Sequence, residues 1–196
     1  VIALKSEREI EMMHRSGKIT ATVLTELLAS PRVGMTTKQL DAIAEKGIRE
    51  RGGIPTFLGY HGFSGSICAS IDDEVVHGIP GDRVLRDGDL LSIDIGTTFE
   101  GYVSDTAATI AIGNASAKAR RLMDVSQEWL AAGIAVMQAG NHVGDIGAAV
   151  QAHAEKNGYG VVRELVGHGV GREMHEPPQV PNFGRAGTGP ELRVGL

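Results

Sequence analysis

Two β-rich runs constrain this chain most. Leu90-Leu91-Ser92-Ile93-Asp94-Ile95-Gly96 and Tyr102-Val103-Ser104-Asp105-Thr106 stand on either side of Thr97 to Gly101. β-branched residues flanking a turn near Glu100-Gly101 predict an antiparallel hairpin. A turn at 99–100 sets Asp94 opposite Asp105. A turn at 100–101 sets it opposite Ala107, with Asp105 as a diagonal neighbour. Side chains alternate along a strand, so either register aims both carboxylates to one side. Asp94 lies between Ile93 and Ile95. Two ionised carboxylates held together in apolar surroundings repel, and one tends to keep its proton unless a cation sits with them. Taken alone, one structural and one solvated aspartate explains the pattern equally well.

Around this hairpin the chain reads helix, helix, strands, and then the same again. Ser6-Glu7-Arg8-Glu9 has the form of a capping box, Ile10, Met13, Gly17, Leu24 and Leu28 mark an inward stripe, and Ser30-Pro31 ends the helix. A second helix is expected from about Thr36 to Arg51, with Leu40, Ile43, Ala44, Gly47 and Ile48 inward and Gly52-Gly53 as its stop. The stretch 54–113 is rich in strand and turn residues. Helices follow over about 116–139 and 145–156, then strand and loop. Gly34 to Leu40 parallels Gly140 to Ile146, and Ala44-Glu45-Lys46 parallels Ala154-Glu155-Lys156. A few shared letters suggest an internal duplication. The expectation is an α+β fold, an antiparallel sheet covered by helices on one face.

Other features add to the aspartates. His168 and His175 lie seven apart in Gly167-His168-Gly169-Val170-Gly171-Arg172-Glu173-Met174-His175-Glu176-Pro177-Pro178. Glycines permit close backbone approach, prolines stiffen the exit, and neutral imidazole is a good ligand for first-row divalent metals. Either histidine taken singly reads as structural. In Val75-Val76-His77-Gly78-Ile79-Pro80 a strand is expected to run into a turn with His77 at its end, a weak signal by itself. His14, His142 and His153 are given no role. A net charge of -5, from 24 acidic and 19 basic residues without a basic cluster, argues against a nucleic-acid surface. Cys68 is the sole cysteine, so no internal disulfide forms and a reducing compartment is expected. No apolar run reaches the ~20 residues of a membrane span, and the cytoplasm is the expected location.

These residues resemble a known family. Leu58-Gly59-Tyr60-His61-Gly62-Phe63, Cys68-Ala69-Ser70, Asp73 through Pro80, Ser92-Ile93-Asp94, Ser104-Asp105-Thr106 and Gly167 through Pro177 together look like the type I methionine aminopeptidases. They do so in order, over nearly the whole chain. The resemblance implies the pitta-bread fold, as a single catalytic domain over 1–196 with pseudo-repeats at about 34–113 and 140–196. It implies two divalent metal ions (Co, Mn, Fe or Zn), with Asp94, Asp105 and His168 as ligands and Asp105 bridging. His77 would hydrogen-bond the scissile amide or the amine end, and His175 would stabilise the oxyanion. Phe57, Tyr60, Phe63, Cys68 and Met174 would line the methionine pocket. The substrate would be the N-terminal Met of nascent polypeptides, close to the ribosome, and the protein a monomer. The family's two glutamate ligands fall beyond Leu196, so the expectation is a chain lacking its C-terminal strands, a piece of a longer protein. Two rivals share the scaffold: an Xaa-Pro aminopeptidase-like hydrolase and a non-catalytic binding protein.

Overall fold

The computed structural model of the chain describes residues 2–196. It contains α1 (Glu7–Ala29), α2 (Thr37–Glu50), β1 (Ile54–Pro55), β2 (Ile67–Ile71), β3 (Leu90–Phe99), β4 (Tyr102–Ala111), α3 (Ala117–Ala135), α4 (Val143–Lys156), β5 (Val166–Gly169) and β6 (Glu176–Pro181). The chain divides into two compact units. One runs from Glu9 to Arg120 and includes Gly171–Met174; the other holds Arg121–Val170 and His175–Leu196 with the N-terminal residues up to Arg8.

In the unit starting at Glu9, β3 is the central strand. β4 pairs along one edge of it, while β1 and β2 share the other, all antiparallel. Leu91, Ile93 and Ile95 on β3 are fully buried against Ile67, Ala69 and Ile71 of β2 and against Val23, Leu27, Leu40, Ala44 and Ile48 of α1 and α2. Each large side chain so buried contributes roughly 1.5–3 kcal/mol. The helices therefore cover one face of the sheet, and Ser92 and Asp94 fall on the other because strand side chains alternate.

The inward stripe of α1 departs from the expectation. Ile10 is 44% exposed, and the buried positions are Ser16, Thr20, Val23, Leu24 and Leu27. Two polar residues lie inward because hydroxyls and a carbonyl of the sheet satisfy them, as described below. Ile43 of α2 is likewise exposed on the helix edge. The helix after Ser116 ends at Ala135 rather than near residue 139. Beyond Ala135 the backbone tightens, with Val136 N–H donating to Gly133 O and Met137 N–H to Ile134 O, while Asn141 Nδ2 donates to Val136 O. The last predicted helix starts two residues early, at Val143, because His142 and Asp145 form a capping box.

In the unit starting at Arg121, Val143, Ile146 and Leu192 form a small core, with Val136 and Val180 packed on it, and β5 pairs with β6. Three backbone bonds recur at matching places in the two similar segments. Gly34 N–H donates to Leu85 O as Gly140 N–H does to Leu192 O; Thr37 to Arg83 O as Val143 to Pro190 O; Lys38 to Gly81 O as Gly144 to Thr188 O. Gly34 and Gly140 share a positive φ, 93° and 95°. Among the described residues, no helix is long and apolar enough to cross a membrane.

Candidate active site

The hairpin register places Asp94 opposite Ala107 and Asp105 opposite Gly96. The turn is thus at Glu100-Gly101, the second of the two registers considered, and the aspartates are diagonal neighbours on one face. Burial first, and then the Asp105 charge, push the Asp94 carboxyl well above the ordinary carboxylate range. Two hard oxygen donors held in register by paired strands could serve a divalent cation. Gly96 makes the arrangement possible, since a Cβ there would come within 2.6 Å of the Phe57 ring.

Cys68 lies opposite Asp94 on β2 and is buried. Burial pushes its thiol up to about 12, and the neighbouring Asp94 and Asp105 charges act in the same direction. The His77 segment runs beside β2, which carries Cys68. His77 is exposed and adopts φ 60°, and Gly78 after it is clamped to β2. Ala69 N–H donates to Gly78 O at 2.8 Å, and Gly78 N–H donates to Ser70 Oγ at 3.0 Å. The loop is tied again at its far end. Thr37 Oγ1 bonds both Gly81 O and Gly81 N–H, and an ion pair joins Arg83 to Glu74.

Three of the proposed pocket aromatics lie in a compact turn. Tyr60 N–H donates to Phe57 O, Phe63 N–H to Tyr60 O, and Gly59 N–H to Phe63 O. Phe57 is buried, Phe63 half-buried and Tyr60 partly exposed, stacked edge-on against His61 with ring centroids 4.4 Å apart. Met174 is buried. A cavity of about 270 Å³ elsewhere, lined by Ile2, Leu4, Pro190, Glu191, Arg193 and Leu196, contains none of the proposed residues.

In the unit starting at Arg121, His168 sits on β5 at a register shift between His168 and Gly169. Such bulges re-aim side chains. Its Nδ1 lies 2.9 Å from Gly169 O. A carbonyl only accepts, so Nδ1 carries the proton and the neutral ring keeps its lone pair on Nε2. The His168 and His175 rings are 4.2 Å apart between centroids. Lys5 Nζ bonds Glu176 at 2.7 Å, next to His175, with both side chains mostly buried. Among the described residues, no group of three or more His, Cys, Asp or Glu side chains is gathered closely enough to hold a metal. Each unit offers a pair: Asp94 with Asp105, and His168 with His175.

Sequence reasoning missed several positioning residues. His142 caps α4, Lys5 anchors Glu176, and Arg172 lies over the Tyr102 ring with its Nη2 2.6 Å from the hydroxyl. Only His142 had a local signal, Asp three residues on.

Known proteins agree with this picture. Residues 11–196 match the profile of metallopeptidase family M24. The chain is 45% identical over 196 residues to methionine aminopeptidase 1 of Bacillus subtilis (strain 168), covering 100% of this chain and 79% of that protein. It is 46% identical over 197 residues to a methionine aminopeptidase of Clostridium acetobutylicum, with the same coverage. The crystal structure of methionine aminopeptidase from Rickettsia prowazekii superposes with a TM-score of 0.97 at 37% identity, over 100% of this chain and 79% of that one. Prolidase from Pyrococcus furiosus, at 21% identity and a TM-score of 0.85 over 98% of this chain and 55% of its own, shares the fold alone. The α+β architecture is therefore the pitta-bread fold of these aminopeptidases and prolidases. The carboxylate pair, the histidine pair and these likenesses lead to one conclusion: the chain belongs to metallopeptidase family M24.

Proposed function

We propose that this protein removes the N-terminal methionine from new polypeptides by metal-dependent hydrolysis. The observation that carries the reading is the Asp94–Asp105 pair, diagonal neighbours on one face of the hairpin. It stands within a chain 45% identical to a methionine aminopeptidase. Asp94, Asp105 and His168 are the proposed ligands: they would hold two divalent ions, and the mixed carboxylate and imidazole set suits Mn, Fe, Co or Zn. His168 enters through the sequence resemblance and through its Nε2 lone pair. When bound, the metal supplies a water made hydroxide-like near neutral pH and polarises the scissile carbonyl.

The chain's own residues do the rest. The hairpin holds the two carboxylates at fixed spacing, so no reorganisation is needed when charge develops. His77 hydrogen-bonds the scissile amide or the amine end from a loop clamped at Gly78. His175 donates to the developing oxyanion. Phe57, Tyr60, Phe63, Cys68 and Met174 form a soft, apolar receptacle for the methionine side chain. Cys68 serves there as a neutral thiol, since burial keeps it protonated. The working setting is the cytoplasm, near the ribosome, as a monomer.

Competition between Met-Ala-Ser and Ala-Pro-Ser peptides tests the substrate class. Release of Met with no release of Ala is expected. Release of Ala from Ala-Pro-Ser alone would turn the reading to an Xaa-Pro hydrolase.

A further inference from the structure

Ser16 and Thr20 are the polar residues that α1 buries, at 0% and 1% exposure. They meet the hairpin on the face opposite the carboxylates. Ser16 Oγ lies 2.8 Å from Thr97 O and 2.9 Å from Ser104 Oγ, and Thr20 Oγ1 bonds Ser104 Oγ. Ser104 and Thr97 are directly paired across β4 and β3, and Asp105 follows Ser104.

The Thr97 carbonyl only accepts, so Ser16 donates to it at 2.8 Å, and Ser104 Oγ faces the same carbonyl at 3.4 Å. Thr20 Oγ1 also donates to the Ser16 carbonyl at 3.2 Å, and either oxygen can be the donor in the Ser16–Ser104 and Thr20–Ser104 contacts. Replacing both sides with alkyl groups would also bury well, so packing does not require this cluster. What the hydroxyls add is direction. A hydrophobic contact tolerates sliding, whereas three bonds to Ser104 and its cross-strand partner fix the strand one residue from Asp105.

We propose that the Ser16–Thr20–Ser104 hydroxyl cluster is a positioning device for Asp105, and that the site's affinity for divalent metal depends on it. The inference rests on the reading of Asp105 as a metal ligand. Residues that orient metal ligands without touching the metal typically change affinity by about 10–100-fold when removed. Ser16, Thr20 and Ser104 act here through the backbone, at the low end of that range.

The test is Mn(II) affinity, measured from the electron paramagnetic resonance of free Mn(II), on the 196-residue protein and its variants. Thermal unfolding in EDTA is recorded for each. Thr20→Val keeps the shape and loses the hydroxyl; Thr20→Ser keeps the hydroxyl and loses a methyl. Thr20→Val and Ser104→Ala are expected to weaken Mn(II) binding about tenfold, with Thr20→Ser within about threefold of wild type. Binding by Thr20→Val within twofold of wild type, while Asp105→Asn loses Mn(II), would overturn the inference and leave the ligand reading standing. Weakening by Thr20→Ser but not by Thr20→Val would also overturn it, since packing would then be the cause. Mn(II) uptake that Asp105→Asn leaves unchanged, or no uptake by wild type, overturns the ligand reading and the inference with it.

Discussion

Gly78→Ala isolates the loop that carries His77. A Cβ at residue 78 would stand 2.4 Å from Ala69 O and 2.8 Å from Ser70 Cα, both backbone atoms. Ordinary contact begins near ~3.5 Å, so loop and strand must part by about 1 Å. Separation on that scale breaks Ala69 N–H to Gly78 O and Gly78 N–H to Ser70 Oγ. Two such bonds are worth about 1 kcal/mol each, and forced overpacking costs roughly 1–3 kcal/mol. Because partial relief of one loss reduces the other, the net expectation is a loss of about 2–4 kcal/mol. For a chain of this size that lowers Tm by roughly 5–15 °C. Gly81→Ala is the matched control, since its Cβ would meet nothing closer than Ile79 O at 3.9 Å. The assay is thermal unfolding by circular dichroism in EDTA, followed by peptide hydrolysis at 20 °C. Gly78→Ala should melt early and hydrolyse slowly, while Gly81→Ala should match wild type. A Gly78→Ala protein melting within 2 °C of wild type would show that the loop is not clamped as described.

Other perturbations have equally definite signs. Metal uptake should release protons, because burial and the Asp105 charge raise the Asp94 carboxyl and a metal ligand must be deprotonated. For a raised acid group, stability from the protonated form is full below the ordinary value of 3.8 and is lost as pH rises through the folded value, about 8. Mn(II) affinity should accordingly strengthen up to about tenfold per pH unit below 8, and calorimetry at pH 6 in two buffers of different ionisation heat that found no proton release would exclude this. Cys68, with its thiol pushed up from 9.0 to about 12, should react with iodoacetamide roughly a thousandfold more slowly than an ordinary thiol at pH 8; alkylation at the free-thiol rate would contradict its burial. His77→Ala should lower turnover while Mn(II) stays bound, read by activity and metal content on one sample; loss of metal would make His77 part of the ligand shell instead. Lys5→Ala removes the 2.7 Å ion pair to Glu176 and should cost about 1–3 kcal/mol in urea unfolding, whereas an unchanged midpoint would mean the pair contributes nothing.

The residues that announced themselves in sequence were those whose role is local. The hairpin was legible because strand propensity and turn chemistry act over a dozen residues, and the alternation of side chains put Asp94 and Asp105 on one face whichever turn was used. The letters shared around Gly34 and Gly140 go with matching backbone bonds: each positive-φ glycine opens the turn that caps the next helix. The α1 stripe was misread because hydrophobicity was taken as the sign of burial. Ser16 and Thr20 lie inward because Thr97 O and Ser104, more than eighty residues on, accept and return their hydrogen bonds. Nothing near Ser16 in sequence could reveal those partners. Helix ends missed by two to four residues for a similar reason, since the ends were set by side-chain caps from Asn141, His142 and Asp145.

The most direct test of the account is Met release from Met-Ala-Ser by this chain, supplied with Mn(II), in the presence and absence of EDTA and beside Asp105→Asn. The account predicts release that EDTA stops, that Mn(II) restores, and that Asp105→Asn, still folded by circular dichroism, does not support. Release that persists in EDTA, or that Asp105→Asn sustains at the wild-type rate, would contradict it.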